Sequence, residues 1–125
     1  MTRVAAVVQA RFGSMRLPGK VLARIGDHSL LEFVLLRLSK MTTPDQVVVA
    51  TTQQPEDDQL EDLATDLGVI TVRGSTEDVL GRFVLAAQLT RSEHIVRVTA
   101  DCPLIDPQIA DAVVTAHLAA GADIT

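Results

Sequence analysis

The residues of this chain best suited to chemistry lie in one short segment near the start. Residues 9–20 follow the apolar run 4–8 directly, and we call them the cationic loop. Its candidate ligands are two glycines and three cations: Gly13, Gly19, Arg11, Arg16 and Lys20. Glycines let backbone N–H groups approach an anion closely, and arginine can grip a phosphate with a bidentate fork. The segment therefore predicts a phosphate site.

The distribution of charge supports this interpretation. The chain has net charge −5, with 11 basic and 16 acidic residues, yet its first five basic residues all precede the first acidic one, Asp27. An acidic protein with one cationic loop is expected to bind a local anion, not a nucleic-acid surface. Aromatic residues make up only 2% and include no Trp or Tyr, so stacking on single-stranded nucleic acid is disfavoured.

Spacing excludes two common phosphate motifs. Five residues separate Gly13 from Gly19, where a P-loop has four, and Lys20 is followed by Val21, which has no hydroxyl for magnesium. The chain also lacks a Gly-x-Gly-x-x-Gly fingerprint. The alternative to a phosphate site is an ordinary strand-to-helix loop with solvated arginines.

Bulk properties predict one globular domain, residues 1–125. Hydrophobic residues make up 47% of the chain, enough for a sizeable core. We see no apolar run of membrane-spanning length and no signal-peptide pattern, so no membrane partner is expected. The single cysteine, Cys102, excludes an intrachain disulfide and fits a reducing cytoplasm; it has no neighbouring His to activate it, which favours a structural role.

Apolar runs and capping signals alternate along the chain. Four short Val/Ile-rich runs predict strands at residues 4–8, 47–51, 69–72 and 95–99. Four helices are predicted between and after them: from a capping box at Ser29 to about Lys40, from Pro55 to Leu67 with Gly68 as terminator, from an N-cap at Thr76 through Ala87, and from Asp106-Pro107 to near Gly121.

This alternation predicts a mostly parallel sheet with helices on both faces. Ligands of such sheets bind beyond the carboxyl ends of the strands. Four segments are expected to converge there: the cationic loop, Thr51-Thr52, residues 74–82 and Ala100-Asp101.

Asp101 is the candidate metal ligand, because Mg²⁺ usually takes one or two carboxylates together with substrate phosphates. The alternative is a carboxylate that only caps a loop. Asp106 precedes a proline and is better explained as a helix cap, which leaves a second ligand unidentified.

Other polar residues give weaker signals. His28, His94 and His117 are scattered without metal-ligand spacing; His28 is assigned to a turn and the other two to helix surfaces or ends. The acidic run 56–58 is expected to be a solvated first helical turn. Arg82 is interpreted equally well as a solvent-facing charge or as a ligand contact.

Taken together, these motifs resemble the N-terminal half of the cytidylyltransferases that activate sugar acids, the CMP-sialic acid and CMP-KDO synthetases. The branch of spore coat polysaccharide biosynthesis protein F is the most similar. The resemblance covers essentially all 125 residues and is carried by four segments in the family's order: 9–20, 48–52, 74–82 and 100–106.

The resemblance implies a three-layer α/β/α nucleotide-diphospho-sugar transferase fold, which is Rossmann-like, and a transfer of CMP from CTP to a sugar or sugar acid with release of pyrophosphate. It implies roles for specific residues: Arg11, Arg16 and Lys20 on the triphosphate, Ala10, Arg11, Gly13 and Ser14 along the nucleotide, Thr51 and Arg82 beside the base or ribose, and Asp101 on Mg²⁺.

Members of that family are considerably longer, so the chain is expected to be a truncated, N-terminal part. The family's second half carries a further magnesium carboxylate, much of the sugar pocket and a dimerisation segment, and an open sheet edge would also favour homodimers. Two alternatives stay open: a catalytically incomplete module that binds a nucleotide or a partner, and a related sugar nucleotidyltransferase that uses another nucleotide.

Overall fold

The computed structural model describes residues 3–13 and 16–125, so Ser14 of the cationic loop lies outside the described residues. Four strands form one parallel sheet: β1 (Val4–Gln9), β4 (Gln46–Thr52), β5 (Ile70–Gly74) and β6 (His94–Thr99). Two short strands form a hairpin: β2 (Arg24–Ile25) and β3 (His28–Ser29). The helices are α1 (Leu30–Leu38), α2 (Asp58–Asp66), α3 (Val79–Thr90) and α4 (Pro107–Ala120).

The sheet has the order β5-β4-β1-β6, and its strands end almost level. Gln9 at the end of β1 lies opposite Ala50 of β4 and Thr99 of β6. From β1 the chain moves outward through β4 to β5, and then crosses back to place β6 on the other side of β1. The winding direction therefore reverses between β1 and β6, which opens a crevice at the carboxyl ends of these two strands.

The hydrophobic core lies on both faces of the sheet because β1 is buried on both sides. Ala6 and Val8 pack on the face covered by α1, α2 and α4, whereas Ala5 and Val7 pack on the face covered by α3. All four side chains are fully buried. The predicted parallel sheet with helices on both faces is confirmed.

Helix signals were reliable where side chain and backbone act locally. The Ser29 hydroxyl accepts from Glu32 N at 3.2 Å and Glu32 reaches back to Ser29 N, so the capping box forms; α1 ends at Leu38, two residues before Lys40. Asp106 caps α4 and Gly121 ends it in a left-handed conformation with φ of 61°. Pro55 opens a single 3-10 turn, after which α2 begins at Asp58.

Two local predictions were wrong. The N-cap of α3 is Asp78, which accepts from Gly81 N at 2.8 Å, and not Thr76. His94 opens strand β6 and does not belong to a helix. The β2–β3 hairpin was not predicted, since its strands have only two residues each.

In the described part of the chain, no helix has the length and apolar character needed to cross a membrane.

A carboxylate on α4 ties that helix to the loop before β4. Asp111 accepts hydrogen bonds from the backbone N–H and hydroxyl groups of both Thr42 and Thr43, with the shortest at 2.6 Å from Thr43 Oγ1. Burial disfavours ionisation, but these bonds outweigh it and lower the pKa of Asp111. The ionised form is therefore the one that stabilises the docking of α4.

We expect Asp111→Asn to lower the free energy of unfolding by about 1–2 kcal/mol, because an amide accepts fewer of these bonds. The difference from the parent should be full at neutral pH and shrink as pH falls through the lowered pKa of Asp111, where the parent carboxylate also loses its charge. Urea unfolding at several pH values measures this, with the exposed Asp62→Asn as control. A difference that grows as the pH falls would contradict this account.

Candidate functional site

A cavity of about 220 Å³ lies at the crevice between the carboxyl ends of β1 and β6. Its wall contains five of the residues that the sequence nominated: Ala10, Arg11, Gly13, Lys20 and Asp101. The other lining residues are Gln9, Val21, Thr99 and Ala100. The fold thus brings the start and end of the cationic loop together with a carboxylate that lies about 80 residues away in sequence.

A turn at Gly19 returns the cationic loop to the cavity. Gly19 N donates to Phe12 O at 2.8 Å, and Gly19 has a φ of 75°, in the left-handed region that favours glycine. A Cβ at Gly19 would also lie only 3.1 Å from the Phe12 ring. The loop is therefore closed at its base, and Lys20 is placed on the same cavity wall as Arg11.

Two small residues extend the strands beneath the cavity. Ala10 N donates to Ala50 O and Ala100 N donates to Gln9 O, each at 3.1 Å. Both alanines are buried and lack a side chain that could fill the space above them. The floor of the cavity is thus fixed backbone, against which a ligand can be placed.

Asp101 is held in its ionised form. Its carboxylate lies 3.6 Å from Lys20 Nζ, with both side chains about half exposed. A hydrogen bond from the Thr99 side chain lowers the pKa of Asp101 most; partial burial opposes this, and the Lys20 charge lowers the pKa further. A carboxylate that is ionised at neutral pH and lies on a cavity wall shared with Arg11 and Lys20 has the chemistry of a hard-cation ligand.

Asp57 corrects the interpretation of the acidic run as solvated. Its side chain is only 1% exposed, and it accepts from Phe12 N at 2.6 Å and from the Thr52 hydroxyl. The neighbouring Asp58 is exposed and pairs with Arg73 at 2.6 Å. Sequence reasoning missed Asp57 because three consecutive carboxylates give no sign of which one turns inward.

Arg82 is buried, which excludes the solvent-facing interpretation. It is 1% exposed, and its Nε and Nη1 have no hydrogen-bond partner among the described residues. Burial lowers the pKa of Arg82 most and the nearby Arg11 adds to this, whereas Asp57 and Asp78 raise it. A buried cation with free donors favours a role as a ligand contact, since an unsatisfied buried polar group is costly.

The structure does not bring all the nominated residues into one wall. Arg82 and Thr51 do not line the cavity, and Arg16 lies exposed in the cationic loop without lining it. Thr51 is fully buried and follows Val49 on the face that packs against α1 and α2, whereas Arg82 belongs to α3 on the opposite face. Their roles beside the base or ribose stay predictions.

The histidines, which are scattered in sequence, are partly joined in the fold. His94 Nδ1 lies 3.0 Å from His117 Nε2, and His28 pairs with Glu32 at 2.9 Å. Across residues 3–13 and 16–125, no group of three or more His, Cys, Asp or Glu side chains is placed to hold a metal.

The fold and the cavity define an α/β protein whose candidate ligand site lies where the winding of a parallel sheet reverses, with cations and a carboxylate around it. This chain belongs to the cytidylyltransferase family, whose family model matches residues 5–125. The match includes the cationic loop, β4, α3 and Asp101. The fold expected from the resemblance is thereby confirmed.

Individual relatives agree with the family assignment. The chain is 37% identical over 129 residues to the spore coat polysaccharide biosynthesis protein SpsF of Bacillus subtilis, covering 100% of this chain and 54% of that protein. It is 31% identical over 116 residues to the 3-deoxy-manno-octulosonate cytidylyltransferase of Leptospira interrogans serovar Lai, covering 90% and 45%. The solved structure of a cytidylyltransferase from Leptospira borgpetersenii superimposes with a TM-score of 0.91 at 42% identity, covering 95% and 50%.

The chain thus spans about half the length of the curated relatives it matches. The shared half contains the cationic loop and the β1–β6 crevice.

We expect two substitutions to raise the pKa of Asp101 toward its ordinary value. Thr99→Val removes the hydrogen bond that lowers it most, and Lys20→Gln removes the neighbouring charge, so Thr99→Val should have the larger effect. Carboxyl-carbon NMR titration measures both, with Lys40→Gln, an exposed cation at the end of α1, as control. An Asp101 titration that is the same in all four proteins would refute the assignment of these two causes.

Proposed function

We propose that this chain forms the CTP-binding part of an enzyme that transfers CMP from CTP to a sugar or sugar acid and releases pyrophosphate. The observation that carries the proposal is the cavity between β1 and β6, lined by Arg11, Lys20 and Asp101. Membership of the cytidylyltransferase family supports CTP as the nucleotide.

The cations of the loop have a defined task in this reaction. Attack on the α-phosphate displaces pyrophosphate in line, and such a transfer needs charge neutralisation and positioning more than a protein nucleophile. Arg11 and Lys20 face the cavity, and the exposed Arg16 lies on the loop that connects them. We assign these three residues to the triphosphate, with the backbone of Ala10 and Gly13 beside the nucleotide.

Asp101 is proposed to bind Mg²⁺ together with the triphosphate. The donor set fits this ion, because Mg²⁺ is commonly bound by one or two carboxylates and completed by phosphate oxygens and water. When bound, the ion would polarise the phosphate oxygens and assist the departure of pyrophosphate. Lys20, 3.6 Å from the Asp101 carboxylate, would then turn toward the phosphates.

The acceptor is proposed from the relatives. The Leptospira relative is named for 3-deoxy-manno-octulosonate, a sugar acid, and the Bacillus relative for spore coat polysaccharide biosynthesis. A sugar or sugar acid destined for a surface glycan is therefore the acceptor we favour.

The free, exposed Cys102 fits a reducing cytoplasm, where we place the reaction.

A second candidate function is a module that binds nucleotide without turnover, since the cavity lined by Arg11, Lys20 and Asp101 accounts for binding of a triphosphate but not by itself for transfer. Calorimetric titration with CTP, ATP, GTP and UTP, each with and without Mg²⁺, tests the shared first step. Selective, Mg²⁺-enhanced binding of CTP supports both functions, and pyrophosphate release with CTP and sugar acids then separates them. Preference for another nucleotide would overturn the proposal.

We expect Arg16→Ala to weaken CTP binding by about tenfold, roughly the contribution of one charge-assisted contact, while thermal stability changes little. The side chain is exposed and contributes little to the core. Lys40→Ala removes an equally exposed cation away from the cavity and should bind CTP like the parent. Equal CTP affinity in parent and Arg16→Ala would remove Arg16 from the phosphate site.

Asp101→Asn should abolish the enhancement of CTP binding by Mg²⁺, because an amide is a much weaker ligand for a hard cation than a carboxylate. Binding without Mg²⁺ should be retained or improved, since a negative charge near the triphosphate is lost. Asp123→Asn, at an exposed carboxylate beyond α4, is the matched control. A variant that still responds to Mg²⁺ as the parent does would exclude Asp101 as the ligand.

A further inference from the structure

The buried carboxylate Asp57 has contacts that its position in the chain does not explain. It stands at the N-cap position of α2, yet its side chain makes no capping hydrogen bond to that helix. Instead the carboxylate accepts from Phe12 N at 2.6 Å and from the Thr52 hydroxyl. Asp57 therefore joins the start of the cationic loop to the carboxyl end of β4.

The Thr52 hydroxyl is itself held from the other side. Gln54 N donates to Thr52 Oγ1 at 3.1 Å, so the hydroxyl oxygen accepts from the chain while its hydrogen points to Asp57. Thr52 and Asp57 are both almost fully buried. Thr52 of β4 thus fixes the Asp57 carboxylate, which can in turn hold Phe12 of the cationic loop in place.

Asp57 also lies among cations that repel each other. The like charge of Arg11 lowers the pKa of Arg82. Two carboxylates raise that pKa, and Asp57 raises it more than Asp78 does. Arg82 is buried, and its Nε and Nη1 find no hydrogen-bond partner in residues 3–13 and 16–125. One carboxylate therefore anchors the residue that follows Arg11 and also compensates the charge of Arg82.

We propose that Asp57 is a positioning residue for the phosphate site: it holds the cationic loop through Phe12 N, and with it the adjacent Arg11 on the cavity wall. Burying a carboxylate costs free energy unless it is hydrogen-bonded. The hydrogen bonds of Asp57 go to the cationic loop and to β4, and none of them caps its own helix. The identity of the anion as a triphosphate rests on the proposed function.

The test compares Asp57→Ala, Asp57→Asn and the control Asp58→Ala. Asn keeps an oxygen that can accept from Phe12 N, and its NH₂ can donate to the Thr52 oxygen. Asp58→Ala removes the same charge from the neighbouring exposed residue, whose carboxylate contacts Arg73. Three readouts are taken: thermal unfolding, hydrogen exchange of the Phe12 amide by NMR, and calorimetric affinity for CTP and for inorganic tripolyphosphate.

Asp57→Ala should speed exchange of the Phe12 amide and weaken tripolyphosphate and CTP binding by about tenfold or more, as expected when the Phe12 N–H loses its acceptor and the loop is released. Asp57→Asn should restore protection of the amide and most of the affinity. Asp58→Ala should match the parent in both. A carboxylate that only stabilised the fold would change thermal unfolding in Asp57→Ala and leave the affinity for tripolyphosphate as in the parent.

Parent-like affinity in a folded Asp57→Ala, or an Asn variant no better than Ala, overturns the proposal. If Asp57→Ala does not fold, Thr52→Val removes the hydroxyl donor while keeping side-chain shape, and unchanged affinity and amide exchange in that variant overturn it equally. A parent that binds neither CTP nor tripolyphosphate contradicts the proposed function instead, and exchange at Phe12 still decides whether Asp57 holds the loop.

Discussion

The pairing of β1 with β6 is the constraint on which the candidate site depends. Both strands run parallel, and their register sets Gln9 opposite Thr99, so the residues that follow them enter the crevice at the same level. A slip of one residue would move Asp101 by about 3.3 Å along the strand and turn each β6 side chain to the other face. Such a slip is costly because it would turn Val98 of β6 out of the core that it shares with α1, α2 and α4.

The loop that follows β1 carries a cluster of positive charge, and the repulsion within it has to be offset. Carboxylates offset the cations from two directions: Asp101 lies beside Lys20 at the mouth of the cavity, and Asp57 lies buried under the start of the loop. The two differ in exposure. The Lys20–Asp101 pair is about half exposed, whereas Asp57 is buried and hydrogen-bonded to the Thr52 hydroxyl.

Much of the fold could be predicted because its signals are local. Continuous Val and Ala in β1 favour a strand buried on both faces, and a Ser with a Glu three residues later can form a capping box within a single turn. The N-cap of α3 was missed because Thr76 and Asp78 are both suitable capping residues, and only the path of the chain after β5 selects Asp78. The two-residue strands of the hairpin are too short for any pattern.

The sequence by itself determined the parallel sheet and put the cationic loop and Asp101 at the carboxyl ends of two strands, since residue types, spacing and strand ends are visible in one dimension. Only the tertiary structure decided which acidic residue turns inward, that Arg82 is buried with two donors unpaired among the described residues, and that Thr51 lies on the opposite face of the sheet from α3. The reason is physical: burial and charge compensation depend on residues from distant strands meeting at one rim, and no local pattern encodes which of several like residues will meet there.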